Sequence, residues 1–418
     1  MIGIGVFTSL GFQAVDLPSG FALLMLWVVG GIIALCGALS YAELATVFPR
    51  SGGEYNFLSR IYHPAVGFLA GWISATVGFS APTALAAMAF GIYLEQVVPS
   101  APALACALLL VWSVSLVHLR GIERAASFQN VSTLIKVALI VAFMVAALVL
   151  ASPSALSFRP SHEDAARITS PAFAVGLAFV MYSYSGWSAV TYIAGEVRDV
   201  RQTLPATVAV AVVVVALLYV GLNAVFLYST PLDQLAGQID VAVVAGSHIF
   251  GEAGGRIVGA IICVGLVSTI SAMMWIGPRV TMAMGEDFPL LSVFARRTKA
   301  GVPVAAVFLQ LGVVTVLLLT QTFESILEFI QFSLTVSSFL TVLGLIVLRY
   351  TQPALPRPYR VWGYPLTPLA FLAVSLFMMI NLAVQRPVQS LAGAAMMLAG
   401  LLVYGLSLRN PHTRLRSS

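Results

Sequence analysis

Charge is what this chain has least of. Asp, Glu, Lys and Arg make up 9% of its 418 residues, while hydrophobic residues make up 60%. Globular domains carry about 25% charged residues, so the shortage excludes a water-soluble domain and leaves a polytopic membrane protein. Cysteine is scarce too. Cys36, Cys106 and Cys263 all lie in apolar stretches, and their odd number excludes a fully paired disulfide framework; each reads as a small buried hydrophobe. The histidines, His63, His118, His162, His248 and His412, are far apart and show no metal-ligand spacing. No nucleophile stands in a pattern with a base. A metal, a cofactor and an enzymatic activity are therefore all unexpected. The formal net charge is +5, but the basic residues are scattered singly among short loops, which argues against a nucleic-acid partner. The N-terminus lacks a charged start and a small-residue cleavage site, so no cleavable signal peptide is expected.

What is present is a succession of apolar runs. A bilayer-spanning helix needs about 20 apolar residues. Windows of that size predict a stub at 1–13 and full spans at 20–47, 64–95, 101–118, 129–151, 171–196, 205–229, 254–282, 302–321, 325–348, 365–385 and 389–408. The stub covers about 20 Å of a roughly 30 Å hydrocarbon core, which places the expected true start of the protein upstream of Met1. Sixteen of the 21 basic residues, from Arg50 and Arg60 to Arg414 and Arg416, fall in one alternating set of loops. Arg159, Arg167, Arg256 and Arg386 fall in the other. That bias puts the first set, and the C-terminus, on the cytoplasmic side of a cell membrane.

Two spans carry residues that weaken a helix. The stub reads "MIGIGVFTSLGF", with Gly3 and Gly5 flanking one residue; glycine in a helix interior costs about 1 kcal/mol relative to alanine. Span six reads "MYSYSGWSAVTY", with Ser183, Ser185, Gly186 and Ser188 at mid-span. Spans one and six occupy corresponding positions in two five-helix halves, and paired interruptions of this kind point to the binding site of an inverted-repeat transporter. A helix that restarts near Gly5 presents free N–H groups and a positive dipole end to an anion. One that stops near Tyr184 leaves carbonyls for an ammonium. An α-amino acid satisfies both.

Five further stretches, in order, carry a resemblance. They are "YAELATVFPRSGGEYNFL" (41–58), "FQNVSTLIK" (128–136), "YSGWSAVTYIAGEVRDVRQTLP" (184–205), "GPRVTMAMGED" (277–287) and "LRYTQPALPRPYRVWGYPLTP" (348–368). Together they resemble the amino acid–polyamine–organocation (APC) transporter family, and L-type and related permeases in particular, over nearly the whole chain. The resemblance implies an all-α, five-plus-five inverted-repeat fold with two extra C-terminal helices. Residues 1–151 would form the first half-repeat, lacking the start of helix one, with 171–348 as the second and 365–408 as the added pair. It further implies that the amides of Ile4, Gly5 and Val6 hold the substrate carboxylate. The carbonyls of Met1, Tyr182 and Ser185 would hold its ammonium, with Gly3 and Gly186 at the two openings. Tyr182 falls where the family places an aromatic gate, and Ser188 at a polar pocket position. Three departures stand out. Ile4 replaces a small, often hydroxylated residue, leaving only its amide contact; Val200 stands where the family often has proline; and the first half of span one is missing.

Other polar residues fill in the picture. Lys136 lies about 10 Å inside span five. Its ammonium either snorkels to the interface or faces the opened part of span one, where family members with a lysine are often proton-coupled or exchangers; protons are then the expected coupling ion. Ser268, Thr269 and Ser271 could face it but are better read as bonding backward along their own helix. Glu43 and Glu196 are expected to pair with loop arginines. Ser51 and Glu54 read as a capping box opening a short helix, Glu54 to Ile61. Spans one, three, six, eight and ten carry no Asp or Glu inside, so a buried cationic side chain would be unpaired, and they lack Lys and Arg as well. A neutral amino acid is the expected substrate. A permease for cationic amino acids or polyamines, and a non-transporting sensor on the same fold, remain as alternatives. The loop at 96–102 has no cysteine to bond a heavy chain, so no obligatory partner is expected.

Overall fold

A computed structural model describes residues 2–119, 123–154, 156–196 and 199–408. Met1, the C-terminal arginines Arg409, Arg414 and Arg416, and Arg120 and Arg198 lie outside the described residues, as does the Glu196 side chain.

All regular structure among the described residues is helical. Helix α1 (Gly5–Asp16) is followed by α2 (Gly20–Val47), α3 (Glu54–Ile61), α4 (Pro64–Ile73), α5 (Ser80–Val97), α6 (Ala103–His118) and α7 (Glu123–Leu150). Then come the short α8 (Asp164–Ile168), α9 (Pro171–Tyr184), α10 (Val200–Ser229), the single turn α11 (Leu232–Leu235) and the long α12 (Val241–Asp287). Helices α13 (Val304–Thr320), α14 (Phe323–Thr351), α15 (Leu366–Gln385) and α16 (Pro387–Leu408) complete the chain. Nine stretches of helix among the described residues are long and apolar enough to cross a membrane, and α6 and α13 are shorter apolar helices. Starts are chemically marked. Ser19 accepts from the Ala22 N–H at 3.2 Å and Ser170 from Phe173 at 3.2 Å, each satisfying a first-turn donor; Pro64 and Pro171 stand at first helical positions, where a missing N–H costs nothing.

Burial separates centre from rim. In the α4–α5 stretch 72% of the apolar window is buried, against 17% in α7 and in α16, so the last two lie at the periphery. The middle is formed by α1, α2, α5, α9, α12 and α14, whose apolar residues join one continuous core.

Three spans differ from simple helices. Span three is α4, a π-turn at Ser74–Gly78, then α5. Pro82 has no N–H to give the Gly78 carbonyl, and Phe79 N–H instead reaches Ser74 O at 3.3 Å, five residues back. Span eight starts earlier than its hydropathy suggests, because α12 includes a leading segment broken from the rest at Gly251, where φ is +76°. Span six does not open after Tyr184. It tightens into a 3₁₀ stretch, Ser185–Glu196, interrupted at Ile193 (φ −117°, ψ 16°).

One end of the bundle is tied by charge. The Glu43 carboxylate on α2 is fully buried and takes Arg349 of α14 at 3.0 and 2.5 Å, Arg357 at 3.6 Å and the Val361 N–H at 2.7 Å. Arg50 forks onto Asp287 at 2.9 Å twice, and Tyr55 donates to the same carboxylate at 2.5 Å. The capping-box reading of Ser51 and Glu54 is corrected. The N-cap of α3 is Gly53, with no side-chain cap. Ser51 Oγ accepts instead from Gly195 N–H at 3.1 Å, and Glu54 turns inward.

Candidate functional site

The two glycine- and serine-marked helices meet. A Cβ built on Gly5 would lie 2.3 Å from Ser183 Oγ and 2.9 Å from Ser183 Cα; only glycine lets α1 come this close to α9. Ser9 and Ser183 hydroxyls lie 3.3 Å apart, and Tyr219 of α10 donates to the Ser183 carbonyl at 3.2 Å. Helix α1 begins at Gly5, and the first bond across its start runs from Phe7 N–H to Ile4 O at 2.9 Å. The amides of Ile4, Gly5 and Val6 are the first-turn donors that an α-helix leaves without an acceptor.

Where α9 gives way to the 3₁₀ stretch, hydroxyls follow the change of pitch. Ser183 Oγ donates to Phe179 O, four residues back, at 3.0 Å. Beyond it the step is three. Ser185 donates to Tyr182 O at 2.7 Å, Ser188 to Ser185 O at 3.1 Å and Thr191 to Ser188 O at 2.7 Å. The spacing of three puts these side chains on one face of a helix with three residues per turn. A 3₁₀ run of this length is uncommon and marks strain or a hinge.

A cavity lies on each side of the α1–α9 seam. The first, about 570 Å³, is lined by Ile2, Gly3 and Phe7 and by apolar faces of α7, α10 and α12. Its polar groups are Lys136 and Thr269. Lys136 Nζ donates to Thr269 Oγ1 at 3.1 Å and to the Ile2 carbonyl at 3.3 Å, so the ammonium reaches the chain just ahead of α1 rather than snorkelling outward. Thr269 was underrated by sequence: besides bonding back to Gly265 O at 3.2 Å, it meets the lysine. Ser271 does not; it bonds His118 Nε2 at 3.0 Å.

The second cavity, about 820 Å³, is lined by Ser185, Gly186 and Ser188 of the 3₁₀ stretch, the π-turn, and polar residues of α14 and α15 such as Gln331, Thr335 and Ser375. At one wall stands Glu54. Its side chain is 96% buried, being 4% exposed, and it accepts from the hydroxyls of Tyr41, Ser337 and, at 3.3 Å, Ser338. Burial pushes the Glu54 carboxyl above its ordinary value, and the three hydroxyl bonds oppose that rise. The "SGGE" turn brings it here. Gly52 and Gly53 have φ of +119° and +52°, and their N–H groups dock on the carbonyls of Tyr192 and Thr191, both at 3.3 Å. A Cβ on Gly53 would sit 2.8 Å from the Tyr192 ring. Trp187 Nε1 and Ser375 Oγ, on lining residues, are buried with no hydrogen-bond partner among the described residues.

The residues singled out from sequence are thus distributed in three places. Gly3 lines the lysine cavity; Ser185, Gly186 and Ser188 line the glutamate cavity; Ile4, Gly5, Val6 and Tyr182 are buried in the wall between. The carbonyls of Tyr182 and Ser185 are already met by hydroxyls. Met1 lies outside the described residues. The structure does not gather them round one cavity, because Gly5 and Ser183 are in contact. Sequence reasoning missed Tyr41 and Gln331 and gave Glu54 only a capping role. A carboxylate directly following paired glycines was the available signal for the last.

Comparison with known proteins bears on this arrangement. Residues 1–407 match the family profile described as "Amino acid permease". The chain is similar to the mouse b(0,+)-type amino acid transporter 1, 26% identical over 97% of this chain and 84% of that protein. It is also similar to the mouse large neutral amino acids transporter small subunit 2, 27% identical over 99% and 79%, and to the human Asc-type amino acid transporter 1, 26% identical over 97% and 79%.

Proposed function

The chain belongs to the amino acid permease family, and from that premise we propose that it is a secondary transporter moving neutral amino acids across the cell membrane by alternating access. The observation that carries the reading is the Gly5–Ser183 seam. Two helix ends meet there in the middle of the protein, one offering first-turn amides and the other a change of helical pitch. When the seam parts, the amides of Ile4, Gly5 and Val6 receive the substrate carboxylate. The carbonyls of Tyr182 and Ser185 exchange their hydroxyl partners for the ammonium, with Tyr182 closing over it. The side chain then points into the cavity beside Ser185, Gly186 and Ser188. Lys136, bridging Ile2 and Thr269, links span five to the start of α1 and couples binding to protonation.

Neutral specificity is supported by the charge of the two cavities. Lys136 and Glu54 are the charged residue types that line them among the described residues, and burial drives Glu54 toward its uncharged form. The fold in this proposal is the five-plus-five inverted repeat, with 1–151 and 171–348 as halves, 365–408 added, and the C-terminus cytoplasmic. The "small subunit" relative names an assembly. For this chain we propose function without a heavy chain, because its cysteines lie in α2, α6 and α12 and none in the 96–102 loop.

Purified protein, heated with each of the twenty amino acids in turn, tests the reading. A ligand at 100 times its dissociation constant adds about 2.7 kcal/mol of apparent stability. Stabilisation by neutral amino acids and not by lysine, arginine or polyamines is expected. Stabilisation by the cationic set alone would overturn the specificity, and stabilisation by none would overturn the function.

A further inference from the structure

We propose that Glu54 is a proton-binding site on the wall of the second cavity, separate from Lys136, and that its protonation sets how tightly α3 holds the 3₁₀ stretch to α14. The geometry is that of a carboxyl caged by hydroxyls with no cation. Tyr41 approaches from α2 and Ser337 and Ser338 from α14. From the 3₁₀ stretch comes Tyr192, whose hydroxyl is 2.9 Å from Ser74 Oγ. On its own helix the neighbouring Tyr55 is turned to Asp287. No Lys, Arg or His is bonded to Glu54 among the described residues. Glu43 is the contrast: it is as deeply buried, yet held by two arginines. An ionised carboxylate in a low-dielectric wall needs a counter-charge, and at Glu54 the group available to supply it is a proton from cavity water.

Protonation forms one O–H bond on the carboxylate and breaks no other covalent bond in the protein. The hydroxyl that donated to that oxygen then turns to accept or finds a second acceptor; Ser338 and Thr341 stand next on the same helix. Because the docking turn ahead of Glu54 is bonded to Thr191 and Tyr192, a change at the carboxyl is passed to the face that carries Ser185 and Ser188. An acid whose value is raised in the folded contact between α3, the 3₁₀ stretch and α14 stabilises that contact below its unfolded value. That stability is lost as pH rises through the raised one. The contact is therefore firm when Glu54 is protonated and loosens when it ionises.

Infrared difference spectroscopy of the full-length protein, titrated in pH, reads the carboxyl directly. Wild type is expected to show a protonated-carboxyl band that disappears with a midpoint above the ordinary glutamate value of about 4.3, and Glu54→Gln to lack it. Ser337→Ala removes a donor to the anion and should move the midpoint up by about one to two pH units. This second variant decides the matter if Glu54→Gln fails to fold. An identical band in Glu54→Gln, or a midpoint unmoved by Ser337→Ala, overturns the proposal. The inference about substrate rests on the permease reading: the pH dependence of amino acid stabilisation should flatten in Glu54→Gln, and an unchanged profile would refute the link. Failure of every amino acid to stabilise any variant would remove the permease reading while leaving the infrared result to judge the proton site.

Discussion

The two cavities beside the α1–α9 seam are near opposites. The lysine cavity is an apolar chamber in which one ammonium bonds one hydroxyl and one backbone carbonyl. The glutamate cavity adds a row of hydroxyls and the Gln331 amide to its apolar walls, and among the described residues its one acid is bonded by side chains alone. The first ties a membrane helix to the chain ahead of α1, so a change at Lys136 is felt as backbone movement. The second ties a loop helix to two spans, so a change at Glu54 is felt as loosening or tightening of a contact. The two charged residues thus serve two mechanical purposes, and the wall between them is only as thick as a glycine facing a serine.

Breaking the wall should have the largest effect. Gly5→Val puts branched bulk where even a Cβ falls 2.3 Å from Ser183 Oγ. It should insert normally and lose amino acid binding by more than about a hundredfold, the scale of an ångström-sized misplacement at a binding site; normal affinity in a thermal-shift titration would take the seam out of the site. Next comes the polar side. Ser185→Leu fills part of the glutamate cavity and strips a hydroxyl from Tyr182 O, and overpacking of this kind costs about 1–3 kcal/mol. Binding should weaken about tenfold or more, with Lys136-dependent pH behaviour retained. On the other side, Lys136→Met keeps most of the stem and removes the charge. Accumulation driven by a pH gradient should fall about tenfold, inside the usual 1–3 kcal/mol range of coupling energies, while substrate binding at fixed pH survives. Wild-type accumulation in vesicles would end the coupling role. The smallest change is expected from Thr269→Val, which leaves the ammonium its Ile2 carbonyl and should cost about fivefold in coupled uptake, near 1 kcal/mol for one hydrogen bond.

Much of this was legible beforehand, for identifiable reasons. Spans 20–47 and 171–196 were bounded by long apolar runs, which hydropathy reads well, while the short helix at Glu54 was placed correctly from a capping box that the structure does not contain. The start of α1 at Gly5 followed from the glycine pair. The π-turn at Ser74–Gly78 was not read, because a proline inside an apolar run changes hydrogen bonding without changing hydropathy. Gly251 was missed for a similar reason: a positive φ leaves no mark on an apolar window. The destination of Glu54 depended on Gly52 and Gly53 folding the loop back under Tyr192, a three-body contact that no local pattern encodes. The tightening of span six was half legible. Serines at mid-span signalled a departure from the α-helix, but the departure was read as an opening; the three-residue step from Ser185 to Ser188 to Thr191 that suits a 3₁₀ turn went unread.

That period has a mechanical meaning. A 3₁₀ helix rises about 2.0 Å per residue and an α-helix about 1.5 Å. Over Ser185 to Tyr192, ahead of the break at Ile193, conversion from one to the other shortens the segment by about 4 Å. Each hydroxyl on the ladder needs only to move its acceptor from three residues back to four, as Ser183 already does, so the change strands no polar group in the hydrocarbon. Such a conversion would give the segment two rest lengths. Its Thr191–Tyr192 end is fastened to the SGGE turn, so shortening would pull that turn and the loop helix along like a drawstring. Spin labels on α9 and α3 should record the stroke as a distance.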